Sequence, residues 1–200
     1  MAPLSLRIHG FTLIELMIVV TVIIVIMLLA IPSFASFRQR AALRGSTEQA
    51  VGFWNQARFE AAKRNQLVKV GVVSSGANYC LGADTTTDPA DATPCNCFTA
   101  GACDVSIFPA DPATGQEEWR GVTLIGTPTL GTNTGVAVIE PKRTGLTSSA
   151  MAGAITFKGP AGRRDYRVNL LVDRYGRAVL CGSNGAPDTM SDYTSRKCSP

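Results

Sequence analysis

Apolar and polar positions follow two rhythms along this chain. From Phe11 to Ile31 nearly every residue is apolar, and the one charge is Glu15. As a helix rising about 1.5 Å per residue, that run extends roughly 31 Å, the thickness of a bilayer core. Pro32 follows, and a kink is expected there, because proline removes a helical hydrogen bond and crowds the preceding turn. Beyond it Leu43, Thr47, Ala50, Val51, Trp54, Ala57 and Ala61 recur at three- and four-residue steps. Arg40, Arg44, Arg58 and Lys63 fall mostly off that stripe. The pattern predicts one helix from about Phe11 to about Arg64. It is a membrane anchor over 11–31 and an amphipathic spine over 32–64.

After Asn65 the period shortens. Leu67–Val73, Val136–Glu140, Ala154–Gly159, Tyr166–Asp173 and Gly176–Cys181 are short, β-branched and bounded by Gly or Pro, which predicts strands. Arg174–Arg177, reading RYGR, predicts a tight hairpin turn with Gly176 at the position needing positive φ. The stretch from Asp84 to Gly115 is rich in Thr, Asp, Ala, Pro and Cys and reads as a surface loop, part of an insertion over about 78–119. The fold class expected is α+β. A long N-terminal helix packs on a mostly antiparallel β domain over 65–200.

A secretory signal has a basic start, a short apolar run and a small-residue cleavage site. Here the run is too long and Ala30-Ile31-Pro32 cuts poorly, so the segment reads as a retained anchor. Arg7 precedes it, but Arg38, Arg40 and Arg44 follow, so the positive-inside rule does not orient it. The cysteines bear on orientation. All six, Cys80, Cys95, Cys97, Cys103, Cys181 and Cys198, come after the anchor. An even number in a loop-rich region points to disulfides and an oxidising compartment. The preferred pair is Cys181 with Cys198, and Cys80 is expected to pair with Cys95, Cys97 or Cys103. A zinc site is the weaker alternative, since the spacing is not a zinc pattern and no histidine follows His9.

Net charge is +4, unevenly placed: +4 over 32–64, −6 over 65–141 and +6 over 142–200. Such a dipolar body suits docking to neighbours or to a polyanion, although any single charge run is more often a solvated face. Catalysis is not expected. The sole histidine, His9, lies before the anchor, no nucleophile–base set is evident, and Glu117-Glu118 falls in a loop. No phosphate-binding glycine loop precedes a helix, and neither cofactor nor metal is implied.

Gly10-Phe11-Thr12-Leu13-Ile14-Glu15, the apolar run and Pro32 together resemble a type IV pilin-like precursor. The resemblance implies that residues 1–10 are a leader. Prepilin peptidase would cut it between Gly10 and Phe11 and methylate the new amine of Phe11. It also implies a leader left in the cytoplasm, a single pass through the inner membrane and a periplasmic body, in agreement with the cysteines. Glu15 would then pair with the Phe11 amine of a neighbouring subunit, each charge offsetting the other's burial. Gln56–Val72, Ile155–Gly162 and Tyr166–Cys181 are similar to the GspH/FimT group of minor pilins and pseudopilins.

That resemblance implies a minor pilin priming or joining a filament and contacting other minor and major pilins. A GspH-type pseudopilin of the type II secretion system is the alternative within the class. A second alternative is DNA binding during natural transformation, which some FimT-type minor pilins perform through a Gly-Arg-x-Arg pattern. Here the comparable residues are Gly176-Arg177-Ala178-Val179, without the second arginine. Arg163, Arg164, Arg167, Arg174, Arg196 and Lys197, with Lys158, are the other candidate phosphate contacts. Aromatics for base stacking are few: Tyr166, Tyr175 and Tyr193.

Overall fold

The structure, a computed structural model, describes residues 12–76, 78–110, 121–130, 135–143, 145–147, 153–162, 164–183, 190 and 193, the side chains of 29–33 excepted. The order of elements is α1 (Leu13–Arg64), β1 (Leu67–Ser75), β2 (Asn78–Thr86), β3 (Ser106–Phe108), β4 (Thr123–Ile125), β5 (Val136–Ile139), β6 (Gly153–Lys158), β7 (Arg167–Val172) and β8 (Ala178–Gly182). The helix, 52 residues long, is continuous through Pro32. The chain divides into two compact units, Met1–Phe37 and Arg38–Pro200.

Both helix ends have local causes. At the start the Thr12 hydroxyl accepts the Glu15 amide at 3.3 Å, and the Leu16 amide reaches the Thr12 carbonyl at 3.2 Å. Thr12 is therefore the N-cap, satisfying a donor that the first turn leaves unpaired. At the other end Asn65 takes φ 52°. Its amide bonds the Ala62 carbonyl, and the Gln66 amide bonds that of Ala61. This is the paired closure of a helix by a left-handed residue, a conformation that asparagine tolerates better than most.

The first unit's described part is a helix with apolar side chains on every side. Leu13 is 80%, Ile18 58% and Leu28 67% exposed. In the second unit the helix has a single buried face. Leu43, Ala50, Trp54, Ala57 and Ala61 are fully enclosed and share one apolar cluster with both sheets. The predicted stripe is therefore core packing, and the α+β arrangement of helix on antiparallel sheets is as expected.

Among the described residues each sheet has four strands, in the orders β3-β2-β1-β5 and β4-β6-β7-β8, all antiparallel. β6 and β7 alternate cleanly. Ile155 and Phe157, with Val168, Leu170 and Val172, point into the core while their neighbours are half-exposed. The five predicted strands are present with ends shifted by a residue or two. RYGR is indeed the β7–β8 turn. Gly176 has φ 73°, and its amide donates to the Asp173 carbonyl at 2.8 Å.

The segment expected as a loop over about 78–119 needs correction. It opens with β2, a nine-residue strand paired along its whole length with β1, and it also contains β3. β2 is buried on both faces. Tyr79, Leu81 and Ala83 join the core, while Cys80 and Gly82 lie on the opposite face. Cys80 bonds Cys97 and Cys95 bonds Cys103, so the cysteine-rich chain is folded back over that outer face. The glycines make this approach feasible. A side-chain carbon on Gly82 would meet the sulfurs of Cys95 at 2.4 Å and Cys103 at 2.6 Å, and one on Gly71, directly opposite, would meet Pro94 at 2.6 Å.

Candidate functional site

The N-terminal candidates fall at the boundary of the described residues. Gly10 and Phe11 lie outside them. Glu15 is the third residue of the helix, exposed, its amide held by Thr12. Thr12-x-x-Glu15 matches a capping box, and the macrodipole favours a carboxylate in this first turn. The sequence carries that signal too, which the assembly reading of Glu15 leaves out. Among the described residues Glu15 makes no ion pair, so its carboxylate is open to a group outside them. Among the described residues, too, no helix is long and apolar enough to cross a membrane. Within the expected span, the side chains of 29–31 lie outside the described ones.

The candidate phosphate contacts do not form one patch. Arg163, Arg196 and Lys197 are outside the described residues. Arg164 and Arg167 flank Asp165, to which Arg167 gives a charge-assisted hydrogen bond, holding the carboxyl below its usual range. They follow the Gly159–Gly162 loop, whose Pro160 carbonyl accepts the Gln39 side-chain amide at 2.9 Å. Arg174 and Arg177 sit on the β7–β8 turn instead. Buried Trp54 donates its indole N–H to the Gly176 carbonyl there, at 2.8 Å. Gln39 and Trp54 are fifteen residues apart on one helix, roughly 22 Å. The two arginine groups therefore stand toward opposite ends of β7.

The turn itself is a small built unit. Asp173 Oδ1 accepts the amides of Tyr175 and Arg177, and its other oxygen takes the Arg177 guanidinium at 2.7 Å. Burial alone would raise the Asp173 carboxyl, but the Arg177 amide and guanidinium outweigh it and hold it below the usual range. The Arg174 and Arg177 guanidiniums lie 4.9 and 5.7 Å from the centre of the half-exposed Tyr175 ring, in cation–π contact. Tyr166 and Tyr193 are buried, so neither is available as a stacking platform.

The cysteines act as staples. Cys80, Cys95, Cys97 and Cys103 are all consumed in disulfides, with Cα separations of 6.1 and 5.5 Å, and none is a metal ligand. Cys181 is disulfide-bonded too; its expected partner Cys198 lies outside the described residues. Under the folded-back segment Lys69 meets Asp91 at 2.9 Å and Asp84 at 3.7 Å. The Thr93 amide, then the Lys69 ammonium, hold the Asp91 carboxyl down at about 2. Burial and a hydrogen bond shared with Asp104 push Asp84 the other way.

Comparison with known proteins turns on the N-terminal helix. The model of the prokaryotic N-terminal methylation motif matches residues 6–31. The chain is type IV pilin-like at its N-terminus. That motif implies processing by prepilin peptidase, membrane anchoring and assembly with pilins, a structural rather than a catalytic role. No curated protein and no solved structure matches the chain.

Proposed function

We propose that this chain is a minor pilin of the GspH/FimT type, incorporated into a type IV pilus or priming it. Its span over 11–31 holds it in the inner membrane, and its body is periplasmic. The observation that carries this reading is the methylation motif running straight into a capped helix that is apolar on every side. In water such a surface is a liability; in lipid, or bundled with like helices, it is satisfied. In this reading prepilin peptidase cuts between Gly10 and Phe11, Phe11 is N-methylated, and Pro32 bends the helix. Glu15 pairs with the Phe11 amine of a neighbour, so that neither charge is buried alone.

The test is Glu15→Val in the full chain, followed in membranes and in sheared filaments. Membrane insertion should be unchanged. Incorporation should fall roughly hundredfold, the equivalent of about 3 kcal/mol for an amine left buried without its partner. Normal incorporation of the variant would refute the pairing. Loss of pilus function on deletion supports the pilus; loss of exoprotein secretion supports the pseudopilin alternative. DNA binding is the third reading and draws only on the Arg174–Tyr175–Arg177 turn as an exposed cation–aromatic cluster. A salt-sensitive gel shift abolished by Arg174→Gln with Arg177→Gln would support it.

A further inference from the structure

We propose that the end of the globular unit at which its helix begins is a docking surface for anionic phospholipid headgroups. The inference rests on the membrane-anchor reading and deepens it. Arg38 and Arg40 are exposed at the start of this unit's helix, and among the described residues neither makes an ion pair. Gln39 between them is buried and turned inward, donating to the Pro160 carbonyl at 2.9 Å. Gly159 and Gly162 pack there against Leu43 and Gln39, and at Gly162 a side-chain carbon would overlap the Gln39 amide. The β6–β7 loop is therefore locked beside the two arginines.

That loop is also basic. Lys158 precedes it, and Arg164 and Arg167 follow. The carboxylate found there among the described residues, Asp165, is shared between Lys158 at 3.8 Å and Arg167. Two elements distant in sequence thus bring five cations and one anion to one end of the unit. The other end is mixed: Arg64 is answered by Glu60 and Asp104, and Lys69 by Asp91 and Asp84.

Lipid fits this collar better than a nucleic acid. Arg38 directly follows a segment whose described side chains are exposed and apolar, from Leu13 to Leu28 with Phe34 and Phe37. Arg38 comes only seven residues after Ile31, the expected end of the span, so in the anchor reading its long stem belongs to the part of the chain that meets the headgroups. The exposed aromatics next to this end, Phe34 and Phe37, belong to the apolar segment that precedes Arg38; among the described residues Tyr166 is buried and Tyr175 belongs to the other arginine turn. The excess of arginines after the span, which confuses the positive-inside rule, then has a use.

The test reconstitutes the full chain in phosphatidylcholine vesicles with and without phosphatidylglycerol. Association of spin-labelled phosphatidylglycerol is compared with that of spin-labelled phosphatidylcholine. The wild type should prefer the anionic lipid roughly three- to fivefold at low salt, less at high salt. Arg38→Gln with Arg40→Gln should bring the ratio close to one. Arg38→Lys with Arg40→Lys should keep it, as should Arg174→Gln with Arg177→Gln. A wild-type ratio of one, or a ratio indifferent to Arg38 and Arg40, overturns the proposal. So does a DNA gel shift lost in the Arg38/Arg40 variant while lipid preference persists. Failure of the full chain to float with pure phosphatidylcholine vesicles would overturn the anchor instead, a distinct outcome.

Discussion

Replacing Gly82 by alanine tests whether the disulfide segment seals the sheet or merely hangs beside it. The new carbon would sit 2.4 Å from Cys95 Sγ, 2.6 Å from Cys103 Sγ and 3.2 Å from the Cys95 carbonyl oxygen. Comfortable separation for such atoms is about 3.5–4.0 Å, so the overlap exceeds roughly 1 Å against two sulfurs bonded to each other. Neither can swing away as a free side-chain tip would. Overpacking of this kind costs about 1–3 kcal/mol. Alanine returns about 0.4–1 kcal/mol by restricting the unfolded chain, leaving a net loss of about 1–2 kcal/mol. Urea unfolding of the full chain in detergent, followed by circular dichroism, would measure it. The decisive comparison is a cycle with Cys95→Ala and Cys103→Ala, which removes both sulfurs. In that background Gly82→Ala should be neutral or mildly stabilising, and the difference between the backgrounds is the contact itself. Equal effects in the two backgrounds would show that the segment does not rest on Gly82.

Trp54→Phe removes the indole donor from a buried Gly176 carbonyl, so it should cost about 2 kcal/mol by the same unfolding assay and loosen the β7–β8 turn. Acid should weaken the Lys69–Asp91 tie in a defined window. The Asp91 carboxyl lies at about 2 against an ordinary 3.8, so its stabilisation is complete above the ordinary value and disappears as pH falls through about 2. The side chain is 18% exposed, and about 2 kcal/mol is the expected size. Asp91→Asn should therefore cost that much at pH 7 and progressively less as pH falls toward and below about 2. Asp84, shifted upward, contributes with the opposite sign and is lost as pH rises through its folded value, so the variant isolates Asp91.

Part of the fold is legible in local pattern alone. The heptad-like stripe from Leu43 to Ala61 and the alternation of β6 and β7 are each local patterns with one buried face. Local periodicity reports such faces directly. The RYGR turn was legible because one position needs positive φ and glycine stands there. The Thr12–Glu15 cap was equally local. Two features were not local, and only the tertiary structure decided them. β2 reads as a loop because it is covered on both faces, by the core and by the disulfide segment, so its glycines and cysteines erase the alternation that marks a half-buried strand. The arginines of the C-terminal half look like one basic run in sequence. Antiparallel pairing sends Arg164 and Arg167 to the end of the sheet beside Gln39, and Arg174 and Arg177 to the turn beside Trp54. A six-residue strand carries the chain from one to the other. Charge in sequence is additive, but charge in a fold depends on which end of a strand each residue occupies.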